Sequence, residues 1–155
     1  MRWVDSASRL IAALPKAIYD AFAKPGAMEG WLPPGNMKGD MLHFDFREGG
    51  SYRMRLTYTD PDHRQGKTSE HVDEVEVRLT RLEENRSIEQ EIRFDSEDPL
   101  FSCLMRMTWT FEPACAGTVV TIRAEDVPEG IRHEDHIEGF RSSLEHLANF
   151  VETAE

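Results

Sequence analysis

The sequence predicts an α+β fold in which a strongly bent antiparallel sheet of about six or seven strands wraps on one long C-terminal helix, with two short helices after the first strand. Three observations carry that prediction. Apolar residues recur at every second position through most of the stretch from Leu42 to Ala124. After Gly130 the period changes to three and four. Before the strands, Pro15 opens a short stretch fit for a helix, and a second short helix follows Lys24-Pro25-Gly26.

Taken in order, Arg9-Leu10-Ile11-Ala12-Ala13 reads as a first strand, and Pro15 fixes a φ angle suited to a first helical turn. Ala17, Ile18, Ala21 and Phe22 give that helix an apolar stripe until Lys24-Pro25-Gly26 ends it. A second short helix is expected from Ala27 to Trp31. Pro33-Pro34-Gly35 then forces a turn and leaves Trp31 at a helix end, either as a core anchor or at the rim of a cavity.

In the next strand Leu42, Phe44 and Phe46 share the dry face, with His43, Asp45 and Arg47 on the other. Glu48-Gly49-Gly50 turns the chain, and Tyr52, Met54, Leu56 and Tyr58 repeat the dry phase on the way back. A polar loop around Asp60-Pro61-Asp62 leads to a strand where Val75, Val77 and Leu79 are in phase. Val72 is not, which predicts a bulge near Asp73-Glu74. Ile88, Ile92 and Phe94 follow, with the polar Gln90 among them. Phe101, Cys103, Met105, Met107, Trp109 and Phe111 then share one face of the most regular strand. Pro113 to Gly117 turns the chain, and Val120, Ile122 and Ala124 complete the sheet. No helix of useful length fits between Asp40 and Asp126, so the sheet is expected to be antiparallel throughout.

Ile137, Phe140, Leu144, Leu147 and Val151 are spaced three, four, three and four, the stripe of a helix that buries one face. Burying five such side chains contributes about 7–15 kcal/mol before ordering entropy is subtracted. The sheet's dry face is the partner large enough to receive them. Gly139 inside this helix either admits a close neighbour or is a tolerated defect on the exposed side.

Composition restricts the function. The 155 residues suit a single domain spanning 1–155, and 29 acidic against 18 basic residues leave a net charge of −11. Such a charge repels phosphate backbones and anionic bilayers, so nucleic acid is excluded as a partner and membrane insertion is not expected. The first residues lack the apolar core of a secretion signal, which predicts a cytoplasmic protein with Cys103 and Cys115 as reduced thiols. Asn85-Arg86-Ser87 matches a glycosylation pattern by chance in that setting. Six arginines on the strands, from Arg53 and Arg55 to Arg123, sit amid acids and are expected to form solvated cross-strand pairs.

Motifs for chemistry are sparse. His133-Glu134-Asp135-His136 has metal-ligand residue types, but a zinc site needs three or four ligands in fixed geometry, and acids at a helix start complement its dipole. His71 with Glu70 and Asp73 joins such a site only if loops converge. There is no Gly-x-Ser-x-Gly elbow and no phosphate-cradling glycine motif. No cofactor is implied.

Pro15-Lys16-Ala17-Ile18-Tyr19-Asp20-Ala21-Phe22, Trp31-Leu32-Pro33-Pro34-Gly35, Arg47-Glu48-Gly49-Gly50, Gly117-Thr118 and Gly139-Phe140-Arg141-Ser142-Ser143-Leu144 with Leu147 occur in one order over nearly the whole chain. In that order the chain resembles the helix-grip, START-like superfamily. The branch it is most similar to is the bacterial homologues of activators of the heat-shock-protein-ninety ATPase. Phe140 departs from the tryptophan that many relatives carry. Chaperone-activating members add a separate chaperone-binding domain for which these residues leave no room.

The resemblance implies an apolar cavity between sheet and helix. Its wall would come from Trp31, Phe44, Phe46, Tyr52, Met54, Leu56, Tyr58, Gln90, Ile92, Met105, Met107 and Trp109, facing His136, Ile137 and Phe140, with Val75 and Val77 in the same phase. Periodicity alone fits a solid core equally well. The expected function is binding of a hydrophobic small molecule, with Tyr52, Tyr58 or Gln90 orienting its polar end. Two alternatives stand beside it: a polyketide-cyclase-like enzyme with His136 or Glu138 as acid or base, and a chaperone-associated interaction module. The protein is expected to be a monomer or a homodimer.

Overall fold

A computed structural model describes residues 4–33, 37–58, 72–94, 104–128 and 130–153, without the side chains of residues 25, 58, 72, 73, 94 and 153. Within these, seven strands form one sheet: β1 Val4–Ile11, β2 Met37–Phe44, β3 Ser51–Tyr58, β4 Val72–Glu83, β5 Ser87–Phe94, β6 Leu104–Ala114 and β7 Gly117–Glu125. Helices α1 Pro15–Asp20 and α2 Pro25–Trp31 separate β1 from β2, and α3 His133–Thr153 closes the chain. The sheet order is β1-β7-β6-β5-β4-β3-β2, antiparallel at every pairing.

Pro15 and Pro25 stand at the starts of α1 and α2, where a missing N–H costs nothing. The tight turns fall where the backbone can adopt positive φ, at Gly49 (82°), Asn85 (62°) and Gly117 (144°). The turn leading into β3 continues its pairing with β4: the Gly49 N–H donates to the Leu79 carbonyl at 2.8 Å, and the Leu79 N–H donates to the Gly50 carbonyl at 2.9 Å.

Three details differ from the sequence reading. The first strand begins at Val4 and ends at Ile11, not at 9–13. Its polar residues Asp5, Ser6 and Ser8 dilute the apolar alternation that marks a strand. Second, β2 slips register between Met41 and His43, so Met41 packs on the core and Leu42 is 46% exposed. Leu42 therefore does not share the dry face with Phe44. Third, β3 and β4 pair regularly through Asp73 and Glu74, and the irregularity of β4 lies instead between Leu79 and Arg81. It sits beside the point where the Gly49-Gly50 loop takes both hydrogen bonds of Leu79. The expected loop at 60–62, and Phe101, Cys103, Glu70 and His71, lie outside the described residues.

Core packing is densest under α1 and α2. Phe22, Trp31 and Trp109 meet edge to face at centroid distances of 4.9, 4.8 and 5.7 Å. The Trp31 indole N–H donates to the Ala21 carbonyl at 3.0 Å, which satisfies the polar atom of an otherwise enclosed ring. On the outer face, Arg53 and Arg55 share Glu74 and Arg106 meets Glu125, cross-strand pairs as expected, while Arg123 meets Glu125 within β7 itself.

Candidate functional site between the sheet and the last helix

The register lines up the inward residues in rows across the strands. One row runs Phe44, Tyr52, Val77, Ile92 and Met105 from β2 to β6. The next runs Leu79, Gln90, Met107 and Ala124 and ends at Asp5 on β1. Two polar groups thus stand in an apolar field. Gln90 is hydrogen-bonded to the side chain of Tyr52, and burial pushes the Tyr52 phenol well above its usual range while that bond pulls the other way.

Helix α3 lies on this face unevenly. Phe140, Leu144, Leu147, Ala148 and Val151 are buried against the core. Its first and last turns are fastened to β1 and its exit. His133 Nδ1 is bonded to Asp5 Oδ1, His136 Nδ1 meets Asp5 Oδ2 at 2.6 Å, and Glu152 accepts the Ala12 backbone N–H at 2.9 Å. At 100° per residue, Ile137, Arg141 and Glu145 fall on the side of α3 that Glu152 shares, away from His136. There, with His133, Glu134, Glu138 and Ser142, they wall an open concavity of ≈ 760 Å³. A second concavity of ≈ 260 Å³ lies between Asp5, Val127, Pro128, Ile131, Arg132, His133 and Glu134. His133 and Glu134 belong to both.

The candidate residues divide between these surroundings. Trp31 and Met54 are fully enclosed, and Met105 and Trp109 nearly so. Trp31 thereby belongs to the aromatic core and not to a rim. Phe44 stacks on Phe46, whose edge meets Tyr19, and both rings are half-buried. Leu56, Val75 and Ile137 are likewise partly buried, while Ile92 (7%), Met107 (9%) and Phe140 (5%) retain slight exposure. The inner face is therefore sealed beneath α1 and α2 and loosens toward Leu56, Val75, Ile92 and Ile137. The side chain of Tyr58 lies outside the described residues. His136 rests against Phe140, with ring centroids 4.2 Å apart.

Asp5 was not among the sequence candidates. It is 1% exposed, yet its phase with Ile11 becomes visible once β1 is extended back to Val4. His133 and His136 converge on this carboxylate, and among the described residues no group of three His, Cys, Asp or Glu side chains has the geometry to hold a metal. Glu134 and Asp135 remain in the first turn of α3, where they complement its dipole.

A family model described as "Activator of Hsp90 ATPase homolog 1-like protein" matches residues 12–152. Among solved structures, a protein from Chromobacterium violaceum superposes with a TM-score of 0.85 at 29% identity, covering 96% of each chain. An AHSA1-like protein from Aeromonas hydrophila gives 0.74 at 16% identity over 99% of this chain and 94% of its own. A Mesorhizobium loti protein gives 0.72 at 19% identity over 99% of both. No curated protein matches.

Proposed function

The chain belongs to the activator of Hsp90 ATPase homolog 1-like family, with its helix-grip fold, and on that premise we propose that it binds a hydrophobic or amphipathic small molecule between α3 and the inner face of the sheet. The observation that supports this reading is the concavity along α3. With its first and last turns tied to β1 and its exit, α3 borders a concavity of ≈ 760 Å³, within the size range of small-molecule sites. Ile137 offers apolar surface there, and Arg141 and Ser142 offer polar ends. Three carboxylates, Glu134, Glu138 and Glu145, stand on the same wall against one guanidinium, which favours a neutral guest over an anionic one. A cytoplasmic location belongs to the same reading. No helix among the described residues is long and apolar enough to cross a membrane.

Titration with the neutral fluorophore N-phenyl-1-naphthylamine tests this reading. The expected result is saturable enhancement at one site, weakened about tenfold or more by Ile137→Asp, since a charge at that wall costs over 1.4 kcal/mol. Leu14→Asp, on the exposed turn before α1, leaves the titration unchanged. Absence of saturation, or an Ile137→Asp curve equal to wild type, overturns the reading.

A further inference from the structure

Asp5, Gln90 and Thr118 are the buried polar residues among those described. Thr118 donates its hydroxyl to the Ala13 carbonyl at 2.7 Å, and Gln90 holds Tyr52, so both are accounted for by their neighbours. Asp5 is different because it is a carboxylate, and an unpaired buried charge costs several kcal/mol. No lysine or arginine among the described residues is bonded to it. Its two oxygens take one imidazole each, His133 on Oδ1 and His136 on Oδ2, both through Nδ1.

That arrangement fixes the chemistry of His133. An ionised carboxylate only accepts hydrogen bonds, so the Nδ1 facing it carries the hydrogen, and the neutral ring presents its lone pair at Nε2. Nε2 has no partner among the described residues, and the side chain is 61% exposed. His133 also stands where the two concavities meet. His136, 11% exposed and seated on Phe140, holds the second oxygen and so prevents the carboxylate from rotating away from His133. A base within reach of a cavity, oriented by a buried carboxylate that is itself held in place, is the arrangement general-base catalysis requires.

We propose that Asp5 and His133 form a proton-transfer site, with His133 Nε2 as the base and an apolar, enolisable carbonyl compound as the class of guest; the proposal rests on the small-molecule reading above. In the forward step the Nε2 lone pair takes the proton from the carbon beside the carbonyl. The C–H electron pair becomes the enolate double bond, and the carbonyl π pair moves to oxygen. The imidazolium is then balanced by Asp5. Arg132, on the wall of the smaller concavity, brings a positive charge toward the enolate oxygen, while Glu134 is the competing base on the same wall. Return of the proton to carbon restores the ketone, so the net change is exchange of hydrogen with solvent and nothing is oxidised or reduced.

The probe is 2-tetralone in deuterated water, with loss of its α-hydrogen signal followed by NMR and its binding measured in parallel by saturation transfer. Wild-type protein is expected to exceed an equal concentration of free imidazole. His133→Gln, a substitution at an exposed position, is expected to lower exchange by about 10²-fold or to background while binding persists. Asp5→Asn and His136→Gln are expected to lower the rate at saturation with little change in KM, as positioning residues do. His43→Gln, on the outer side of β2, changes nothing. A probe that binds but exchanges no faster than with imidazole overturns the proton-transfer site and leaves the binding reading standing. Exchange that survives His133→Gln, or vanishes with Glu134→Gln, also overturns it. Absence of saturable binding overturns both.

Discussion

The Glu29 carboxylate on α2 accepts the backbone N–H of Met41 at 2.6 Å, at the residue where β2 slips its register against β3. A bulge frees ladder groups, and here a side chain from a neighbouring helix takes up one of them. The contact also sets which residue of β2 faces the core.

Glu29→Ala leaves the Met41 N–H partly buried without its acceptor. The expected loss is about 1–3 kcal/mol, read from urea midpoints with an unchanged slope. Glu29→Gln, which retains an acceptor, is expected to lose less.

Glycines at two positions should respond in opposite directions. Gly117 has φ +144°, and a Cβ there would come within 2.1 Å of the Ile11 carbonyl oxygen, so Gly117→Ala is expected to cost more than about 2 kcal/mol. At Gly139 a Cβ meets no described atom within 4 Å. Gly139→Ala is therefore expected to stabilise α3 by up to about 1 kcal/mol, which thermal melts will show. The glycine is a tolerated defect and not a point of close approach.

Tyr52 gives a pH dependence with a definite sign. Burial raises its phenol in the folded state, so the native protein holds that proton more tightly than the unfolded chain. Stability from this source is complete below about pH 10 and falls as pH rises above it. Tyr19, raised by burial and then by Glu84 and Glu48, adds to the same trend. Urea melts of Tyr52→Phe between pH 8 and 11, a range of about 3 units around the free phenol value, are expected to show a shallower alkaline decline than wild type. An identical decline would assign the effect elsewhere.

Trp31→Phe removes the indole hydrogen bond to Ala21 and opens space between Phe22 and Trp109. A loss of about 2–4 kcal/mol is expected in denaturant melts. Binding of the naphthylamine probe by the folded variant should be unchanged, because this ring lies in the sealed part of the interior.

The meander and the gripping helix were legible because period two and the three-four stripe are written locally. The bulges were not. The slip at Met41 lies where Glu29 from another element takes the Met41 N–H, and the irregularity after Leu79 lies where the Gly49-Gly50 turn pairs with Leu79. Each is a tertiary effect on a strand whose own pattern reads either way. The inward phase of Met107, Ile92 and Gln90 was readable, but whether each residue meets protein or open space was not, since alternation records a face and not what lies against it. Asp5 was hidden more deeply: a charged residue in an inward position reads as a break in the pattern, and its histidine partners stand 128 and 131 residues away.

Pairing β1 with β7 also has a consequence for assembly. Val4 lies opposite Glu125, so β1 finds its hydrogen-bonding neighbour across more than a hundred intervening residues, about the span over which closure is slow. Contacts of such long sequence separation form slowly, and until they form β1 is an unpaired edge exposed to other molecules. The hairpins from β2 to β7 are built of neighbours and can zip first. The edge position of β1 leaves its pairing with β7 and its ties to α3 as what holds it to the sheet.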